Sequence, residues 1–101
     1  MARAVALKWA EPALNELDDI AAWIAGQSPV AAAELVDRVL TRVEMLRRFP
    51  SAGRRVPEVG GTVYREIVVP PLRVVHRRAG SAVLIVHVMR GERLLRQGRL
   101  R

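Results

Sequence analysis

The sequence predicts an α+β fold in which a two-helix antiparallel hairpin packs on one face of a small, mainly antiparallel sheet. Two amphipathic segments follow one another closely in residues 11–49, and three strand-like runs follow in residues 63–89. A short apolar run in residues 3–9 precedes them, so the predicted order is β-α-α-β-β-β. With 101 residues, half of them hydrophobic, the chain suits one globular core. We expect a single domain in residues 1–93 and a basic C-terminal tail in residues 94–101.

The first helix begins at a proline. Pro12 fits the first helical turn, where its missing N–H needs no partner, and Gly26 marks the end of the pattern. Between them apolar residues recur every three or four positions, which is typical of an amphipathic helix. These residues are Ala13, Leu17, Ile20 and Ile24.

The second helix begins at Ser28, which suits an N-cap, with Pro29 at the first helical position. It ends near Phe49, because the residue before Pro50 disfavours the helical region. Since the link from Gly26 to Ser28 is so short, the two helices must form an antiparallel hairpin, and a sheet must cover their shared apolar stripe. The stripe of the second helix comprises Ala32, Leu35, Val36, Val39, Val43 and Leu46.

The second half of the chain reads as an ordered loop followed by three strands. Residues 50–62 hold two prolines and three glycines, which indicates a loop. The strand-like runs cover residues 63–69, 72–78 and 82–89, and the last two form a hairpin around Gly80. We expect Pro70-Pro71 to form the corner between the first two runs, since a central strand does not tolerate it.

Alternation along the strands predicts which side chains share a face. The third run is apolar on both sides and is therefore the best candidate for the central strand. Its expected faces are Leu84, Val86 and Val88 on one side, with Val83, Ile85, His87 and Met89 on the other. In the second run Arg73, Val75 and Arg77 share a face. Because the helices cover only one side of the sheet, we place Arg73 and Arg77 on an open face.

Charge is divided unequally between the two halves. Residues 1–50 carry six Lys/Arg and seven Asp/Glu, a balance of −1, whereas residues 51–101 carry eleven Arg and three Glu, a balance of +8. The sum is the net charge of +7. A basic patch of this density predicts either a polyanion-binding surface or a site for an acidic protein partner.

Composition also disfavours several functions. Because the chain has no cysteine, it has neither a catalytic thiol nor a disulfide. It has two histidines, and only three acidic residues follow position 50, so ligands for a metal ion are scarce. We therefore expect no metal site and no cofactor. Neither a signal peptide nor a membrane span is recognisable, so we predict a cytoplasmic protein without membrane contact.

The order and spacing of several short segments carry a resemblance to a known family. The segments are Trp9-Ala10-Glu11-Pro12-Ala13, Leu46 to Pro50 with Gly53-Arg54, Tyr64-Arg65-Glu66, Leu72-Arg73-Val74-Val75-His76, and Ile85-Val86-His87-Val88-Met89-Arg90. Taken together over positions 8–93, they resemble the RelE/ParE toxin superfamily of bacterial type II toxin–antitoxin systems.

The resemblance implies two possible activities. RelE-like members cut mRNA in the ribosome, which needs cations for the phosphate and groups that move protons. The matching candidates here are Arg73, Arg90, Arg93 and His87, but no tyrosine follows position 64 and the only lysine is Lys8. A lone histidine such as His87 is more often simply packed or hydrogen-bonded.

ParE-like members instead inhibit DNA gyrase, and for this a binding surface suffices. The ParE-like interpretation fits this chain better, and it implies a non-enzymatic toxin whose target-binding face comprises Arg65, Arg73, Arg77, Arg90 and Arg93. It also implies a ParD-type antitoxin in a hetero-oligomer, bound at Leu17, Ile20, Ile24, Val36, Val39 and Arg73. A non-toxic remnant that only binds an antitoxin remains a further alternative.

Structural roles compete with binding roles at Arg65, Glu66, Trp9 and Trp23. We interpret Arg65–Glu66 as an ion pair that orders the strand edge. Trp9 and Trp23 are expected to pack in the core, since both lie on apolar stripes or strand ends.

Overall fold

A computed structural model describes residues 4–61 and 63–91 of the chain and confirms the predicted order of elements. The elements are β1 (Ala6–Trp9), α1 (Glu11–Ala25), α2 (Pro29–Glu44), a 3₁₀ turn (Met45–Arg47), β2 (Arg54–Arg55), β3 (Tyr64–Val69), β4 (Leu72–Ala79) and β5 (Ala82–Arg90). The one addition is β2, a two-residue strand within the segment predicted as a loop. The predicted tail, residues 94–101, lies outside the described residues.

The five strands form one sheet in the order β1-β5-β4-β3-β2. β1 pairs with β5 in parallel, and the other neighbours are antiparallel. The middle strand is therefore β4, and the prediction that the third run would be central is wrong by one position. β5 is nevertheless apolar on both sides because it is interior to the sheet and covered on both faces.

Both helices begin as the sequence predicts. Pro12 lies in the first turn of α1, and the Oγ of Ser28 caps α2 by accepting a hydrogen bond from the Ala31 N–H at 3.1 Å. Such a cap contributes about 1 kcal/mol to helix stability. Within the described residues no helix is long and apolar enough to cross a membrane.

The main core lies between the helix hairpin and the sheet. It is built from the apolar stripes of α1 and α2 and the inward positions of β3, β4 and β5, with Leu46 and Ile85 fully buried. Leu7 and Trp9 of β1 pack against it, so the prediction for Trp9 is confirmed. Because the stripes repeat with the helical period, each helix buries one side only.

A β-bulge in β5 changes which residues share a face. Val75 pairs with His87 but His76 pairs with Ile85, so Val86 is an extra residue on β5. An extra residue inverts the alternation beyond it. Val88 therefore packs with the helices and Met89 on the opposite side, which is the reverse of the expectation from strict alternation.

The Pro70-Pro71 pair forms the turn between β3 and β4, as predicted. Its peptide bond is cis, and the Pro71 carbonyl accepts a hydrogen bond from Gly91 N–H at 2.8 Å. Both prolines thus lie outside the strand ladder.

Candidate functional site

The sheet face opposite the helices, called the outer face here, is not open along its whole length. Residues 53–61, which we call the strap, cross part of it. Val56, which is fully buried, and Val59 pack against Val75, Val86 and Met89 to form a second apolar cluster. The expectation of an open face is therefore wrong for the part beneath the strap, because the glycine- and proline-rich segment supplies its own apolar side chains.

Under the strap Arg73 forms an ion cluster with two glutamates. Its Nη1 and Nη2 donate to the two carboxylate oxygens of Glu58 at 2.6 and 2.8 Å. Its Nη2 and Nε donate to the two oxygens of Glu66 at 2.6 and 3.1 Å. Arg54 of β2 also donates to Glu66, at 2.9 and 3.1 Å. The cluster thus joins the strap, whose first residues include β2, to β3 and β4.

Charge is balanced within this cluster. Two arginines face two carboxylates, and the Glu66 side chain is fully buried. Hydrogen bonds to Glu58, and then to Glu66, hold the pKa of Arg73 above its ordinary value although burial opposes this. Bidentate arginine–carboxylate pairs are among the strongest polar contacts in proteins. Arg73 lies on the outer face, as predicted, but only 5% of it is exposed.

The strap begins where glycine is required. Gly53 has a φ of +94°, and a Cβ there would collide with the backbone carbonyl of Glu66. The close approach lets the Gly53 carbonyl accept a hydrogen bond from Arg65 Nη1 at 3.3 Å. The predicted Arg65–Glu66 ion pair is therefore wrong, because adjacent strand residues point to opposite faces and Glu66 pairs with Arg54 and Arg73 instead.

A second group of arginines lies at one end of the sheet, which we call the basic end: Arg55, Arg65, Arg77 and Arg78. Arg55 lies directly opposite Arg65 in the β2–β3 pair, and Arg77 and Arg78 follow on β4. Among the described residues none of the four has a carboxylate within 4.0 Å. Arg55 and Arg65 repel each other because they lie directly opposite. Since no carboxylate of the described residues pairs with these four arginines, this end of the sheet has a concentration of positive charge.

Arg90 lies at the opposite end of the sheet from these arginines, at the end of β5. Its guanidinium carbon is 4.6 Å from the centre of the Trp23 ring, the distance of a cation–π contact. Trp23 is 58% exposed, so the prediction that it packs in the core is wrong. Its position on α1 places it beside the last residue of β5 rather than over the sheet.

His87 makes a structural contact at the edge of β5 that β1 leaves unpaired. Its Nδ1 lies 3.0 Å from Oε1 of Glu16 on α1. The same oxygen accepts a hydrogen bond from the backbone N–H of Val88 at 3.1 Å. Glu16 thus supplies a hydrogen-bond acceptor to the edge of β5 beyond the end of β1.

His76 is fully buried on the helix-facing side of the sheet. Its Nε2 lies 2.9 Å from the carbonyl oxygen of Ala52. Burial lowers the pKa of His76 below its ordinary value; the contact with Ala52 opposes this effect and the nearby Arg65 adds to it. Neither histidine belongs to a group of three potential metal ligands within residues 4–61 and 63–91.

The apolar residues predicted to bind an antitoxin separate into two groups. Leu17 (5% exposed) and Val39 (fully buried) belong to the main core. Ile20, Ile24 and Val36 are partly exposed at its margin. A groove of about 440 Å³ runs between α1 and α2, lined by Ala21, Ala22, Ala25, Ala32, Ala33 and Val36.

The predicted site residues are therefore dispersed over the fold. Arg65 and Arg77 lie at the basic end, Arg73 lies under the strap, and Arg90 lies against Trp23, while Arg93 falls outside the described residues. Sequence reasoning missed Glu58, and it paired Glu66 with Arg65 instead of Arg73. A glutamate next to the apolar run Ile67–Val69 was the available signal, because a carboxylate in a buried strand needs a cation.

This chain, a small helical hairpin packed on a mainly antiparallel sheet with a basic end, matches the toxins of type II toxin–antitoxin systems. The family model described as "ParE toxin of type II toxin-antitoxin system, parDE" matches residues 7–95. The chain belongs to this ParE toxin family, and the resemblance seen in the sequence is confirmed.

The proteins similar to this chain include the following two. The protein named "Putative toxin Y4kP" from Sinorhizobium fredii (strain NBRC 101917 / NGR234) is 42% identical over 48 residues, which is 48% of this chain and 50% of that protein. The aligned part is thus about half the length of that relative. A chain of the "Chromosomal ParDE TA system from P. aeruginosa" has 24% identity and a TM-score of 0.74, over 90% of this chain and 100% of that chain. At this identity, the second similarity supports a shared fold only.

Proposed function

We propose that this ParE-family toxin inhibits DNA gyrase, blocks replication, and is neutralised by a ParD-type antitoxin. The toxin acts through a binding surface and performs no chemistry of its own. Membership of the ParE family supports this proposal. The half-exposed arginines Arg65, Arg77 and Arg90 are the candidates for target contact. The candidates for antitoxin contact are Ile20, Ile24 and Val36.

The main observation behind the proposal is that Arg73 is paired with two glutamates. An mRNA endonuclease needs a cation at this strand position to hold the scissile phosphate, but Arg73 is bound by two carboxylates on two sides. Those carboxylates would also repel a phosphate. Of the two histidines, His76 is fully buried and His87 is held by Glu16, so neither presents a free general acid or base. This arrangement favours binding over cleavage.

The test is induced expression with two parallel measurements. We expect growth arrest together with trapped gyrase–DNA cleavage complexes, and the same complexes when purified toxin is added to purified gyrase and supercoiled DNA. Transcript ends mapped from the same cells should be unchanged. Codon-phased mRNA cuts without gyrase complexes would contradict the proposal in favour of a RelE-like endonuclease. Absence of growth arrest from folded protein would favour a non-toxic remnant.

Variants of single arginines locate the target contact. Arg90→Ala removes the cation above Trp23, whereas Arg77→Ala acts at the basic end; Arg42→Ala, on the exposed side of α2, is the matched control. We expect loss of gyrase trapping in at least one of the first two variants and no loss in the control.

Neutralisation is tested by co-expression. If an adjacent gene encodes a small acidic protein, its product should restore growth. Equal toxicity with and without that product would contradict the proposal that an antitoxin neutralises this toxin.

A further inference from the structure

The first strand of the sheet lies at its edge. β1 pairs with β5 in parallel on one side, and no strand of the described residues lies on its other side. Successive residues of a strand direct their backbone N–H and C=O groups to opposite edges. Just after β1, the Ala10 N–H donates to the Ile85 carbonyl of β5 at 2.9 Å, so the even-numbered residues face β5. The backbone groups of Leu7 and Trp9 therefore point away from the sheet.

The neighbouring backbone groups at this edge are paired, but those of Leu7 and Trp9 are not. Val5 also faces outwards, and its N–H donates to the Arg47 carbonyl at 2.8 Å, while its own carbonyl accepts a bond from Arg47 Nε at 3.1 Å. Within the described part of the chain no such bond reaches Leu7 or Trp9, and both residues are half-exposed. Their N–H and C=O groups thus form an unpaired row, which is a template for another strand.

Lys8 gives this edge its charge. Its side chain lies on the outer face and is exposed, whereas Leu7 and Trp9 pack against the main core on the helix side. Among the described residues no carboxylate lies within 4.0 Å of Lys8. If an antiparallel strand bonds to Leu7 and Trp9, the residue opposite Lys8 belongs to a non-hydrogen-bonded pair, in which facing side chains come closest. A carboxylate at that position neutralises Lys8.

We propose that an acidic segment of the antitoxin adds to the edge of β1 as a sixth strand of the five-stranded sheet. The segment carries an acidic residue opposite Lys8 and, on either side of it, apolar residues that lie beside Leu7 and Trp9. In this mode of recognition main-chain hydrogen bonds supply affinity and side chains supply specificity. The inference rests on the antitoxin part of the proposed function and adds where, and in which conformation, the antitoxin binds.

The row of backbone groups decides the chemical class of the partner. N–H and C=O groups that recur at the spacing of a strand match another polypeptide backbone, and a nucleic acid has no such repeat. A segment that takes up the strand conformation on binding can pair there. A folded target such as gyrase needs an exposed edge strand of its own, which native proteins avoid. The edge therefore favours an antitoxin segment over the target.

A second copy of the toxin fits this edge poorly. Val5 is already bonded, and Glu11 begins α1. Of the symmetric antiparallel registers, only one uses the groups of both Leu7 and Trp9, and it places Lys8 opposite Lys8. Like charges directly opposite each other destabilise a sheet. The edge thus disfavours self-association and favours a partner with an acidic residue.

The test is amide hydrogen exchange of the full-length toxin, alone and bound to the acidic protein that restores growth on co-expression. In the toxin alone, the amides of Leu7 and Trp9 should exchange about tenfold or more faster than that of Lys8, which faces β5. In the complex, the exchange of Leu7 and Trp9 should slow by about tenfold or more. Nuclear magnetic resonance of isotope-labelled toxin resolves the three amides.

Charge variants test the residue opposite Lys8. Lys8→Gln should weaken the complex about threefold and Lys8→Glu about tenfold, because the facing carboxylate first loses its partner and then meets a like charge. Arg55→Glu is the matched control, since it makes the same change in charge on β2, at the other edge of the sheet. At about 19 Å from β1 it should leave the affinity within about twofold. Calorimetry measures the affinities, and circular dichroism confirms folding.

Three results overturn the proposal. The first is exchange of Leu7 and Trp9 as fast in the complex as in the toxin alone. The second is equal weakening by Lys8→Glu and Arg55→Glu, which assigns binding to net charge. The third is slow exchange of both amides in a toxin that is dimeric by itself, which assigns the edge to a second copy.

Growth rescue separates this inference from the proposed function. Rescue without protection of β1 refutes the inference alone. If no adjacent gene product restores growth, the antitoxin part of the proposed function fails and this inference fails with it. The gyrase part is decided by the trapping of cleavage complexes, which does not involve the edge of β1.

Discussion

At the scale of single residues, the ion cluster around Arg73 shows how a buried charge is retained in an apolar fold. Glu66 lies in a strand whose next residue, Ile67, belongs to the main core, and its carboxylate has no access to solvent. A lone buried carboxylate is strongly unfavourable, but here two arginines donate to it. The cluster therefore depends on all its members being present.

Removing one member should be far more costly than breaking a surface pair. We expect Glu66→Ala to lower the free energy of unfolding by about 3 to 5 kcal/mol, because it leaves the buried Arg73 guanidinium without its bonds to Glu66. Glu44→Ala breaks the exposed pair with Arg47 and should cost less than about 1 kcal/mol. Urea denaturation measures both variants. Similar losses in the two would contradict the structural role of the cluster.

At the scale of elements, the strap and the β-bulge decide what the sheet presents. The strap places apolar side chains on part of the outer face. It is anchored at its start by close backbone packing of Gly53 on β3 and further along by Glu58. The bulge sends Met89 under the strap and Val88 into the main core.

The close packing of the strap on β3 should require glycine at position 53. Gly53→Ala should lower the free energy of unfolding by about 3 kcal/mol or more, since a Cβ combines positive-φ strain with a collision against the β3 backbone. Gly80→Ala is the control: it also has a positive φ, of +62°, but a Cβ there meets nothing within 4 Å, so about 1 kcal/mol is expected. Thermal or urea unfolding compares them. Equal costs would show that backbone conformation alone matters and that the close packing of the strap does not.

At the scale of the whole molecule, the free energy of unfolding depends on pH through the protonation of His76. This side chain is buried between the sheet and the loop carbonyl of Ala52, so its pKa in the folded protein lies below the ordinary value of about 6.5. Between the two values the unfolded chain binds a proton that the folded protein does not. The contribution of His76 is therefore fully present above about pH 6.5 and is lost as the pH falls towards the folded pKa.

The corresponding variant is His76→Gln, which retains a donor for the Ala52 carbonyl but cannot titrate. We expect the wild-type protein to lose more unfolding free energy between about pH 7.5 and about pH 5.5 than the variant does. Urea denaturation at the two pH values measures the difference. A wild-type loss no greater than that of the variant would rule out His76 as the source.

The sequence by itself determined the order of elements, both helix starts, the Pro70-Pro71 corner and the concentration of positive charge in the second half. These features depend on periodicity, capping and proline chemistry, which act over a few neighbouring residues. Only the tertiary structure decided that Arg73 is neutralised, whereas within residues 4–61 and 63–91 no carboxylate lies within 4.0 Å of Arg77. Glu58 lies 15 residues from Arg73 in the chain, and its approach depends on where the strap crosses the sheet. Likewise, one extra residue in β5 inverted the faces predicted for Val88 and Met89, because a bulge follows from strand pairing and not from local pattern.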